Sequence, residues 1–76
     1  MSSEVVMSAR QGQEKATGHV MAHVERARDS LKNIRADNVS AAGVFFHPQM
    51  QLVALKVARE ELNKAIGLMK RTRWTR

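Results

Sequence analysis

Between Pro48 and Thr72 the apolar positions repeat with the period of a helix. Leu55, Ala58, Leu62, Ala65 and Met69 alternate steps of three and four, with Leu52 and Ile66 beside them. At about 100° per residue these positions share one face. Pro48 suits the first turn, where its missing N–H costs nothing. A second, narrower apolar line runs down the opposite side through Met50, Ala54, Val57 and Leu68, interrupted by Glu61. Lys56, Arg59, Lys64, Lys70 and Arg71 fall mainly between the two lines. A helix apolar on two sides needs two partners. One can come from the same chain and the other from a further molecule.

The same periodicity predicts an earlier helix from about Glu14 to Ala36. Val20, Val24, Ala27, Leu31 and Ile34 step by four, three, four and three, a heptad-like seam suited to one long partner helix. Glu25, Arg26, Arg28, Asp29, Lys32 and Arg35 make its outer face, where Glu25 and Asp29 can pair with Arg28 and Lys32. Gly18 interrupts its start and permits a kink, a close helix approach or a late helix start. Residues 1–13 are weakly patterned, with Gly12 unfavourable inside a helix, and read as a flexible arm. The link from 37 to 47 is longer than a tight helical turn. It carries Phe45 and Phe46, which are expected to plug the hairpin end or a subunit junction, or to stack on a planar ligand. Residues 73–76 form a basic tail with Trp74.

The predicted fold class is therefore all-α: two long antiparallel helices, 14–36 and 48–72, forming a helical hairpin with an N-terminal arm. A lone hairpin covers each helix on one side only, so copies are expected to assemble into a homo-oligomeric bundle. Size points the same way. Seventy-six residues without cysteine allow no disulfide, and one small core rarely supplies more than about 3–5 kcal/mol.

Charge sharpens the picture. Of a net +6, residues 48–76 contribute +5 and residues 1–47 only +1. Concentrated positive charge favours anionic partners, although a solubilising face is the plainer reading. Nothing resembles a membrane span, and the N-terminus lacks the pattern of a secretory signal. A cytoplasmic setting is expected, the host cytoplasm if the protein is viral.

Candidate chemistry is sparse. His19 and His23 stand i, i+4, a spacing that can bind metal, but no third ligand is recognisable beyond Glu14 or His47. Glu60 and Glu61 point to different sides of a helix, and the serines lack an elbow motif. Gly12, Gly18, Gly43 and Gly67 are isolated, so no phosphate loop occurs. No catalytic residue, cofactor or metal site is expected. The expectation is a binding protein.

The run Leu52-Val53-Ala54-Leu55-x-x-Ala58-Arg59-x-x-Leu62-x-x-Ala65-Ile66-x-x-Met69, preceded by a helix and a loop, resembles the helical-hairpin domain of phage cyclic-nucleotide sponges. The resemblance covers roughly residues 20–72; residues 1–15 show no ligand-binding pattern of that family. It implies a homo-oligomer, often a hexamer, that binds cyclic nucleotides at subunit junctions without catalysis and so blocks host anti-phage signalling. No site residue is carried over from the family. Chemistry alone nominates Lys56, Arg59, Lys64 and Arg71 for phosphates, and Phe45, Phe46 and Trp74 for bases. The alternatives are a helical inhibitor of a host protein and, third, a nucleic-acid-binding protein using the basic tail.

Overall fold

A computed structural model describes residues 2–74, with backbone only for 2–10. Two helices run antiparallel: α1 from Ser2 to Leu31 and α2 from Pro48 to Arg71. No helix among the described residues is long and apolar enough to cross a membrane. The all-helical hairpin agrees with the sequence pattern, but its boundaries differ. Residues 2–13 continue α1 instead of forming a separate arm, and Gly12 and Gly18 are helical without interrupting it. The helix stops at Leu31, five residues earlier than the apolar spacing predicts. Ala36–Asn38 is a short 3-10 turn.

The larger correction concerns the seam. The leucine-rich face of α2 does not pack inward. The buried positions of α2 are Gln51, Ala54, Ala58 and Ala65, and on α1 they are Ala16 and Ala27. Ala58 is 3% exposed, whereas Leu55 is 51% and Ile66 50% exposed. The inner line of α2 reads Gln51, Ala54, Ala58, Glu61, Ala65 and Leu68, and that of α1 reads Gln13, Ala16, Val20, His23, Ala27 and Ser30. Both alternate three and four, the heptad spacing of a coiled seam. Small side chains let the axes approach toward the near end of the usual ~8–10 Å. Of the leucines of α2 only Leu68 takes a place on this line; Leu52, Leu55 and Leu62 fall on the flanks and stay exposed.

Polar side chains at seam positions lock the register. His23 Nδ1 lies 2.6 Å from Glu61 Oε2. Ser30 Oγ donates to the Ala54 carbonyl at 2.8 Å, and Gln13 Nε2 donates to the Arg73 carbonyl at 3.1 Å. With Gln13 level with Arg73, residues 2–10 run beyond the end of α2. That overhang makes the molecule a rod, 66 × 16 × 15 Å.

The link folds back on itself. Val39 and Phe45 form an isolated antiparallel bridge, and Phe46 N–H donates to the Asn38 carbonyl at 2.8 Å. Gly43 takes the turn with φ of 82°, a conformation that disfavours a side chain. Phe46 remains 59% exposed, so the aromatic pair does not plug the hairpin within one chain.

Candidate functional site: a cationic groove on one face of the hairpin

The alanine seam divides the hairpin into two faces. Counting about 100° per residue from Ala58, Leu55, Leu62, Ile66 and Met69 lie on one flank of α2. Val24 and Leu31 of α1 lie on the same side of the seam, so this front face is apolar across both helices. The opposite, back face carries His19, His23 and Ser30 from α1 with Val57, Glu61, Lys64 and Leu68 from α2.

A groove of about 580 Å³ opens on the back face. It is lined by His19 and His23 from α1 and by Asn63, Lys64, Gly67, Leu68 and Arg71 from α2. The i, i+4 and i, i+7 spacing of Lys64, Leu68 and Arg71 puts them on one stripe of the helix. Gly67 leaves the backbone bare there. A methyl group added at Gly67 would stand 3.4 Å from Arg71 Nη1, so the guanidinium lies back across that residue.

No carboxylate lines the groove, and among the described residues neither Lys64 nor Arg71 is in a salt bridge. Two cations and an amide suit a phosphate or carboxylate, which an arginine fork can grip with two hydrogen bonds. At the inner edge sits the His23–Glu61 pair. The hydrogen bond from His23 holds the Glu61 carboxyl below its ordinary range; burial opposes this, and the positive charges of Lys64, His23 and Arg26 add to the lowering. Arg26 Nη1 is 3.5 Å from the same imidazole nitrogen.

Of the residues nominated from chemistry, Lys64 and Arg71 meet in this groove. Lys56 and Arg59 lie elsewhere on α2, exposed. Phe45 and Phe46 belong to the link, at the other end of the hairpin. Trp74 folds back, its indole N–H donating to the Met69 carbonyl at 2.9 Å. Thr75 and Arg76 of the tail lie outside the described residues. His19, His23 and Asn63 were not nominated for an anion. The signal that could have found the histidines is their position on the seam side of α1, one helical turn apart. Among the described residues no three His, Asp or Glu side chains gather as metal ligands would.

Compared with known families, curated proteins and solved structures, the chain has no match.

Proposed function

We propose that the protein is a non-catalytic binding module that assembles through its front face and sequesters an anionic small molecule, such as a cyclic nucleotide, on its back face. One observation carries the ligand class: Lys64 and Arg71 share a groove with no carboxylate on its walls. The resemblance to phage cyclic-nucleotide sponges extends the ligand to cyclic di- and trinucleotides, and would set the protein to work in an infected bacterial cell.

The test is thermal melting with a panel of cyclic di- and trinucleotides. A true ligand at a hundredfold excess over Kd adds about 2.7 kcal/mol of stability. Lys64→Ala and Arg71→Ala each remove a charge-assisted hydrogen bond, about 1.5–3 kcal/mol, and are expected to weaken binding roughly ten- to hundredfold with the helices unchanged. A panel that leaves the melting temperature unmoved would sink this reading.

The exposed front face favours a second reading. A chain that stays monomeric would offer Leu55, Leu62 and Ile66 to a groove on a host protein as an amphipathic helix does.

A further inference from the structure

We infer that His23 is a third ligand of the anion in the back-face groove, beside Lys64 and Arg71, and that it takes up one proton from solvent to bind. This deepens the anion-binding reading of that groove and rests on it. His23 touches two environments at once. It forms part of the groove wall, and it is hydrogen-bonded to Glu61 on the seam, with 17% of its side chain exposed.

The bond to Glu61 decides which ring nitrogen carries hydrogen. Nδ1 lies 2.6 Å from Glu61 Oε2. The Glu61 carboxyl is held below its ordinary range, chiefly by this hydrogen bond, so near neutral pH it is ionised and can only accept. The hydrogen between them therefore belongs to Nδ1. Arg26 Nη1, 3.5 Å from the same nitrogen, is too far to compete. A neutral ring with hydrogen on Nδ1 has a bare lone pair on Nε2, and no described residue hydrogen-bonds Nε2. That lone pair repels the oxygen of a phosphate or carboxylate. One proton moved from buffer to Nε2 makes it a donor, and no other bond changes. The imidazolium then lies between two anions, the Glu61 carboxylate at Nδ1 and the ligand at Nε2, and a carboxylate so placed both orients the ring and stabilises its charge.

The surrounding charges couple this proton to the ligand. His19 and Arg26 flank His23 on α1, about one turn away on either side, and Glu61, Lys64 and Arg71 belong to α2. With the groove empty, the positive charges of Arg26, Lys64 and Arg71 oppose a further one on His23. A bound anion cancels that opposition. His19 is exposed and no described residue fixes its tautomer, so it can offer an N–H while neutral. The proton is assigned to His23 for that reason.

The experiment is a sulfate titration of the full chain followed by NMR at pH 6 and pH 8 and constant ionic strength, sulfate keeping its own charge throughout. The amides of Lys64 and Arg71 report affinity and the ring nitrogens of His23 report protonation. Binding is expected to be at least about tenfold weaker at pH 8, histidine losing its charge across that range, and sulfate added at pH 7 should move the His23 ring toward its imidazolium resonances. In Glu61→Gln the carboxamide donates to Nδ1, so Nε2 carries its hydrogen on a neutral ring, and the difference between the two pH values should shrink to about twofold. His19→Gln should keep the pH dependence of the parent. If Glu61→Gln does not fold, the ring resonances of the unsubstituted protein decide. The inference is overturned if sulfate binds equally tightly at both pH values, if the His23 ring stays neutral while Lys64 and Arg71 respond, or if His19→Gln abolishes the dependence. If neither Lys64 nor Arg71 responds at either pH, the anion-binding reading itself fails, and this inference with it.

Discussion

Three polar residues fix how the two helices meet, and a hydrophobicity pattern assigns none of them to the core. His23, Ser30 and Glu61 occupy positions where a helical seam ordinarily places apolar groups. Read from sequence, Glu61 only interrupts an apolar line and His23 is half of a weak metal pair. In the structure they face each other at 2.6 Å. The pair has a pH signature. The Glu61 carboxyl titrates below its ordinary value of 4.5, so the unfolded chain takes up its proton first as pH falls. The stability it contributes is present above 4.5 and disappears as pH drops through the lower, folded value. Thermal melts from pH 7 to pH 3 should therefore show a fall in melting temperature that is shallower in Glu61→Gln. Equal slopes in the two proteins would show that the pair does not act as described.

At the scale of the elements, the two antiparallel helices were legible and the face each turns inward was not. The period of 3.6 identifies both helices, and Pro48 marks the first residue of α2. The seam was hidden because the largest apolar side chains draw the eye to Leu55, Leu62 and Ile66, whereas alanine decides how near two axes come. The conformation of the link was not legible either. Its backbone is tied by the Val39–Phe45 bridge, and Phe46 stays outside. Two substitutions on α2 separate the faces. Ala58→Leu overpacks a buried seam position and should destabilise by about 1–3 kcal/mol in urea melts at any protein concentration. Leu55→Ala should be nearly silent, within about 0.5 kcal/mol, in a dilute single chain. Where copies have assembled it should cost about 2–5 kcal/mol, as for a core leucine. A destabilisation by Leu55→Ala that ignores concentration would place Leu55 inside its own chain. A third substitution tests the outer side of α1. A methyl at Gly18 meets nothing within 4 Å, so Gly18→Ala should stabilise the helix by about 1 kcal/mol. A loss of stability in a circular-dichroism melt would mean that something packs closely on that outer side.

For the whole molecule the governing quantity is surface. The chain exposes 6375 Å², whereas a folded monomer of 8.5 kDa exposes about 4,700 Å². The excess is of the size that obligate interfaces bury per chain, and much of the front face is leucine, isoleucine and methionine. That α2 carries two apolar lines was legible in the sequence. That the seam runs between them was not: Ala58 and Ala65 of one line and Ala54 of the other turn inward, and Leu55, Leu62, Met50 and Val57 stay exposed. The cationic groove was half legible: net charge located it on α2, but only the fold joins Lys64 and Arg71 to His19.

Sedimentation equilibrium at micromolar concentration tests the central claim, that the front face is covered by further copies of the chain. The account predicts a mass of two or more whole chains of 8.5 kDa, reduced to a single chain when Leu55→Glu and Ile66→Glu are combined. A folded, cooperative 8.5 kDa species at every concentration would contradict it.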